Sequence, residues 1–389
     1  PLGIRRQSAA NREPEQAVMI ITPQQDQALK AVSAWYKDPH GAPFFYLFGY
    51  AGTGKTTLAK HFAASINGVS FCAFTGKAAL VMRQKGCVGA STIHSLIYTF
   101  DTEAPLGTMR FIRNALSPLL MANLVIVDEC SMVNCQLGED LLSFGKKVLV
   151  LGDPAQLPPV EGAGFFTLGE PDFLLTEIHR QAAENPIIRL SQIVREGGKL
   201  KQGKYGDSAV IPQSKLDWQA LAEHDQVLVG MNRTRQTAIA EIRELRGRTL
   251  TVEKDDRLIC LKNDRQKMLL NGSMWTVLAV REYGRSMRLT LSSQDGLAEA
   301  VDIYTRPEMF DGREDTLSPA QRRNLDEFTF AEAITVHKAQ GSQWNDVAII
   351  DESRQFREDA RAHLYTAITR AASRVLVVVP QAASSLGGI

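Results

Sequence analysis

Apolar residues recur along this chain in two rhythms. Ala28, Leu29, Val32 and Trp35 fall on one face of a helix opened by Thr22-Pro23-Gln24-Gln25, with Thr22 as N-cap, Pro23 at N1 and Gln25 at N3 completing a capping box. Behind Pro43, the aromatic run Phe44-Phe45-Tyr46-Leu47-Phe48 reads as a short buried strand, and Leu58, Ala59, Phe62 and Ala63 then return to helical spacing. Val69 to Phe74, Leu124 to Val127, Lys147 to Leu151 and Phe173 to Leu175 are further apolar runs of strand length. Continuous apolar strands alternating with helices predict parallel sheets, so the fold class is α/β.

The second half repeats this scheme. Gln226 to Gly230, Asp346 to Ile350 and Val375 to Val379 read as buried strands. Between them, from about Gly272 to Glu327, alternating segments such as Trp275-Thr276-Val277-Leu278 and Met287-Arg288-Leu289-Thr290-Leu291 predict a small antiparallel β insertion. In the first half, Tyr98 to Leu119 breaks the rhythm with Thr, Pro, Gly and the aromatics Tyr98, Phe100 and Phe111, and reads as a small projecting insertion without a clear turn signal. The expected organisation is a flexible leader over 1–20, in which Pro1-Leu2-Gly3 looks like the remnant of a cleaved tag, then a first domain over 21–184 with an insertion at about 97–119. A second domain over 185–380 carries the β-rich insertion at about 272–327, and 381–389 form a tail.

Composition narrows the picture without deciding it. The 389 residues are 44% hydrophobic and 22% charged, as in ordinary globular domains. No apolar run approaches the ~20 residues that span a bilayer, and the start lacks a signal-peptide pattern, so a cytoplasmic protein with no membrane partner is expected. With 44 basic and 43 acidic side chains the net charge is +1, which leaves any nucleic-acid contact to a local track. Cys72, Cys87, Cys130, Cys135 and Cys260 form no C-x-x-C pair and are expected as reduced thiols.

The chemistry begins at Gly49-Tyr50-Ala51-Gly52-Thr53-Gly54-Lys55-Thr56, which fits G-x-x-x-x-G-K-[ST] at every fixed position, between a strand and a helix. Its glycines let successive N–H groups converge on an anion, and the helix N-terminus adds partial positive charge. Lys55 is placed to reach the β and γ phosphates and the Thr56 hydroxyl to bind Mg2+; Gly52, Thr53, Gly54 and Thr57 complete the contacts, so ATP and Mg2+ are the expected cofactors.

The strand at Leu124 delivers Asp128 and Glu129 at its carboxyl end, where Asp128 can hold a Mg2+ hydration shell and Glu129 can polarise an attacking water. In Gly152-Asp153-Pro154-Ala155-Gln156-Leu157-Pro158-Pro159-Val160, Gln156 is best placed to sense a γ-phosphate. Several residues stay open on this reading. Gln25 is explained by the capping box, and it also stands where it would read an adenine edge. Arg180 is either a surface cation or a charge for the site; Arg370, ending a helical pattern, is either a dipole partner or the same. Thr75-Gly76-Lys77 suits contact with a phosphate chain or is a helix start with a solvated lysine, and His94 is a capping or packing residue or a ligand. Thr335-Val336-His337-Lys338-Ala339-Gln340-Gly341 is rich in hydrogen-bonding groups and ends in a Gly turn.

Taken in order, GYAGTGKT, FTGKAA, STIHSL, VDECSM, GDPAQLPPV, LTEIHRQ, TVHKAQGSQW and YTAITRA resemble the motif series of superfamily 1 helicases of the 5′-to-3′ subgroup, and within it the RecD and Dda branch, over about Thr22 to Pro380. The resemblance implies two RecA-like domains with ATP between them and single-stranded DNA across both. It implies Lys55, Glu129, Gln156, Arg180 and Arg370 as catalytic, the arginines acting as fingers and Arg370 reaching over from the other domain. Asp128 and Thr56 are implied at the metal, Gln25 at the adenine and Gly341 beside the nucleotide. Thr75, Gly76, Lys77, Thr92 and His94 are implied on one stretch of the strand track, and Thr335, His337 and Lys338 on the other. The first insertion is implied as the duplex-splitting wedge and the second as an SH3-like barrel. An ATP-driven helicase acting on single strands and their duplex junctions is the implied activity, with replication or repair proteins as partners and a monomer as the working unit. The large amino-terminal domain of some RecD-type proteins is not among these residues, which points toward a stand-alone, Dda-like enzyme. The alternatives are a translocase that strips proteins or remodels forks, and an ATP-switched DNA-binding or loading module.

Overall fold

The capping box forms as expected: Thr22 Oγ1 accepts from Gln25 N at 3.2 Å and Thr22 N donates to Gln25 Oε1 at 3.1 Å, opening the Pro23–Lys37 helix. A computed structural model describes residues 21–100, 111–158, 164–167, 169–178, 184–264, 266–294 and 298–381. The leader, the tip of the first insertion, Arg180 with its neighbours His179 and Gln181, and all of the tail after Gln381 lie outside the described residues.

The first half contains β1 (Phe44–Gly49), β2 (Val69–Ala73), β3 (Ser91–Thr92), β4 (Tyr98–Phe100), β5 (Phe111–Arg113), β6 (Leu124–Asp128), β7 (Lys147–Gly152) and β8 (Phe173–Leu175). Six of them form a parallel sheet in the order β3-β2-β6-β7-β1-β8. Its inner strands read as unbroken apolar runs because helices cover both faces. β1 and β7 are neighbours, with β6 beyond β7, so the loops after Gly49, Asp128 and Gly152 converge at one edge, the place where such sheets hold ligands. β4 and β5 pair antiparallel, Tyr98 opposite Arg113, giving the first insertion a hairpin that its sequence did not announce.

The second half contains β9 (Gly203–Tyr205), β10 (Ser208–Pro212), β11 (Gln226–Val229), β12 (Arg257–Cys260), β13 (Met274–Tyr283), β14 (Ser286–Ser293), β15 (Val301–Thr305), β16 (Phe328–Phe330), β17 (Ala333–Thr335), β18 (Trp344–Ile350) and β19 (Ala371–Val379). One sheet runs β17-β11-β18-β19-β10-β9, parallel except for its β9 edge. The β-rich insertion is an antiparallel sheet, β15-β14-β13-β12-β16. It reaches past the expected 272–327 because Leu258, Trp275, Phe328 and Phe330 share one core with Val227, Val229 and Ala333 of the parallel sheet. Arg243 pins this junction: its guanidinium lies 3.7 Å from the Phe330 ring centroid, pairs with both Asp256 oxygens at 2.8 and 3.0 Å, and reaches Glu332 at 3.1 Å. Among the described residues no helix is long and apolar enough to cross a membrane.

Candidate functional site

The P-loop is shaped by its glycines. Gly52 and Gly54 hold φ of 81° and 82°, the left-handed region that favours glycine, and a Cβ on Gly49 would come within 2.6 Å of Thr53 Oγ1 and 2.8 Å of Leu175 Cβ. The loop feeds the Lys55–Ala63 helix, and Lys55 Nζ donates to Gly49 O at 2.5 Å and Tyr50 O at 3.1 Å. Beneath it, Thr53 is wholly buried. Gln25 supports it from behind, donating Nε2 to Thr53 O at 2.9 Å while Oε1 stays in the capping box. Gln25 is 2% exposed and its amide braces the loop backbone, in addition to its place in the capping box.

A cavity of about 310 Å3 opens over this loop. It gathers Gly52, Gly54, Lys55, Thr56, Thr57, Asp128, Glu129, Gln156, Gly341 and Arg370 from both halves of the chain. Thr56 Oγ1 donates to Asp128 Oδ2 at 2.8 Å, and Asp128 Oδ1 accepts from Glu129 N at 2.9 Å. Burial, and then the Glu129 carboxylate, push Asp128 above the usual carboxylate range, against the hydrogen bond from Thr56. Among the described residues no three His, Cys, Asp or Glu side chains gather to hold a metal by themselves. What fits at Thr56 and Asp128 is a cation shared with phosphate oxygens, as Mg2+ is held in nucleotide sites.

Glu129 has φ of 54°, a conformation that a non-glycine residue keeps only where its surroundings enforce it. It sends its carboxylate to the far wall. With the Gln156 amide oriented to satisfy both partners, Gln156 Nε2 donates to Glu129 Oε2 at 3.1 Å and its oxygen accepts from Arg370 Nη2 at 3.2 Å. Arg370 Nη1 lies 3.9 Å from Glu129 Oε1, donates to Ser342 O at 3.3 Å, and Nε donates to Thr366 O at 3.2 Å. Its side chain is 5% exposed. A guanidinium from the second half thus faces the P-loop across the cavity.

Three cross-cleft residues were missed on sequence. Tyr365 accepts from Ala51 N at 3.0 Å and donates to Asp153 Oδ2 at 2.7 Å; Thr366 Oγ1 accepts from Leu157 N at 2.9 Å, and Gln340 Nε2 donates to Leu157 O at 3.2 Å. Each stands in a motif quoted above, yet its partner lies more than 180 positions away, beyond the reach of any local pattern.

The expected strand-contacting loops divide. Thr75 and Thr92 spend their hydroxyls capping helices, accepting from Ala78 N and Ser95 N, each at 3.1 Å. Gly76 packs on the second half, where a Cβ would meet Leu270 at 2.6 Å, and Lys77 is 9% exposed beside Gly272. These three positions, Thr75 to Lys77, lie against the second half in this conformation. His94 is exposed, its ring 5.7 Å from Phe74 and 5.9 Å from Tyr98. On the second half, Thr335 is buried at the end of β17, Lys338 is exposed, and the His337 ring lies 5.4 Å from Phe356 and 5.8 Å from His363.

His363 stacks on Phe356 at 4.0 Å, is 2% exposed, and its Nε2 has no hydrogen-bond partner. Burial, then the neighbouring His337, push its pKa down to about 4 from an ordinary 6.5. Between these values the unfolded chain binds the proton first, so this residue withdraws stability as pH falls from 6.5 toward 4, by about 3 kcal/mol in full. Urea unfolding across that window is expected to give a shallower pH slope for His363→Phe than for the parent; parallel slopes would refute the assignment.

A family model of an AAA domain matches residues 21–215, and one of a UvrD-like helicase C-terminal domain matches 330–378. The chain is 30% identical over 361 residues to the ATP-dependent RecD2 DNA helicase of Deinococcus radiodurans, covering 84% of this chain and 46% of that protein. It therefore spans about half the length of that relative. It is 24% identical over 359 residues to the ATP-dependent DNA helicase Pif1 of Bdellovibrio bacteriovorus, covering 78% and 77%. A Bacteroides Pif1 helicase solved with ADP-AlF3 and single-stranded DNA shares the fold with a TM-score of 0.56 at 19% identity, over 92% of both chains. Two RecA-like units account for both parallel sheets.

Proposed function

We propose, for a chain that belongs to the superfamily 1 helicases of the RecD/Pif1-like type, that it hydrolyses ATP to move 5′ to 3′ along single-stranded DNA and to unwind duplex ahead of it. The observation that carries this reading is the single cavity walled by Lys55 on one half and Arg370 on the other.

In this reading the P-loop N–H groups and Lys55 hold the β and γ phosphates, and Thr56 and Asp128 hold Mg2+. The metal supplies neutralisation of phosphate charge. Glu129 accepts the proton of the attacking water, Gln156 couples that carboxylate to the γ-phosphate, and Arg370 stabilises the charge that develops in transfer. Arg180 is assigned as a second finger on the resemblance alone. ATP joins the halves through Lys55 and Arg370; hydrolysis removes the bridge and the halves part. Thr92 and His94 with Phe74 and Tyr98 on one half, and His337 and Lys338 with Phe356 on the other, would grip bases by stacking and phosphates by charge, alternating with closure.

Strand displacement on duplexes carrying a 5′ or a 3′ single-stranded tail tests this directly, alongside ATPase rates with and without single-stranded DNA. Displacement from the 5′ tail with strong ATPase stimulation is expected. A second reading, a translocase that strips proteins and separates strands poorly, is favoured by the three-residue strands of the β4–β5 hairpin. Stimulated ATPase without single-turnover displacement from either tail would select it.

A further inference from the structure

Neither the phosphate cradle nor the arginine accounts for what Tyr365 does. It lies on the Ala360–Ile368 helix of the second half, is 1% exposed, and its hydroxyl enters the first half. There it makes two bonds at once, taking the Ala51 N–H of the P-loop and giving its own proton to Asp153. Asp153 stands 8% exposed just after β7, and its other oxygen accepts from Ala155 N at 3.0 Å, in the loop that carries Gln156. One phenol therefore joins two of the first-half loops that border the cavity, and the helix that supplies it ends two residues before Arg370. A hydroxyl that accepts and donates together polarises both bonds, and without the phenol the part-buried Ala51 N–H loses this partner at the edge of the cavity.

We propose that Tyr365 is a positioning residue that ties the shape of the P-loop to closure of the two halves, so that the cradle is held in form only while Arg370 is within reach of it. The role in turnover rests on the ATPase reading above; the hold on the loop does not. Closure then does two things together: it brings in the guanidinium and it fixes the Ala51 peptide.

The test compares the parent with Tyr365→Phe, which keeps the ring and removes both bonds. Thr366→Val is the second variant, because it cuts the Leu157 contact on the same helix without touching the P-loop. Hydrogen exchange of the 49–55 segment is measured in the nucleotide-free protein, and kcat and KM for ATP are measured with and without single-stranded DNA. Tyr365→Phe is expected to speed exchange in that segment about tenfold and to lower DNA-stimulated kcat about tenfold. KM for ATP is expected to change less than kcat. Thr366→Val is expected to leave exchange of the segment at the parent rate. Unchanged exchange in Tyr365→Phe overturns the proposal whatever the kinetics, as does equal acceleration in Thr366→Val, which would mark general loosening of the interface. Faster exchange with unaltered DNA-stimulated kcat also overturns it, leaving the phenol a structural strut. A parent chain without DNA stimulation would sink the functional reading, and the exchange arm would still decide the hold on the loop.

Discussion

Replacing Arg370 by alanine is expected to lower the DNA-stimulated hydrolysis rate by about a thousandfold, with a much smaller change in ATP affinity. The side chain is almost wholly buried and is aimed, not free: Thr366 O and Ser342 O hold two of its nitrogens while Nη2 serves Gln156. A guanidinium fixed in advance pays little reorganisation when charge develops on a transferring phosphoryl group, which is why its loss falls on turnover. Arg370→Lys is expected to recover little, because a single ammonium cannot serve several acceptors in a planar fork. Single-turnover hydrolysis and equilibrium binding of a fluorescent ATP analogue separate the two effects. A rate within tenfold of the parent would remove Arg370 from the reaction.

Glu129→Gln is expected to slow hydrolysis by about a hundredfold to ten-thousandfold while ATP still binds, since the change keeps shape and removes the proton acceptor. From a left-handed backbone position, Glu129 presents its carboxylate to Gln156 and Arg370. Two adjacent acids thereby take separate tasks: Asp128 bonds to Thr56 near the cradle, and Glu129 faces the far wall. Burst and steady-state measurements with bound-nucleotide quantification check this. Full turnover in the variant would reassign the base.

The first parallel sheet and its P-loop were legible because their signals are local. β1, β6 and β7 are buried on both faces and read as apolar runs, and the loop pattern is complete in eight consecutive residues. β9 and β10 were not seen: each is short, β9 is exposed, and β10 ends in a proline. β12 and β16 were assigned to no element because only their shared core with Val227 and Ala333 defines them. At the site, Lys55, Thr56, Asp128, Glu129 and Gln156 were readable from their local context, and Arg370 entered mainly through the motif series. The capping role of Gln25 was legible locally, whereas its bond to Thr53 O, 28 positions away, came only from the geometry. Tyr365 was invisible for a related reason. Its two partners lie 314 and 212 positions away, so nothing near it in the chain marks it.

The central claim is that one triphosphate is held from opposite walls. A crystal structure with Mg2+, a non-hydrolysable ATP analogue and single-stranded DNA tests it most directly. The account predicts Lys55 Nζ and the Arg370 guanidinium both within about 3 Å of oxygens of the same terminal phosphate. A terminal phosphate gripped by Lys55 alone, with Arg370 still turned onto Ser342 O and Thr366 O, would contradict it.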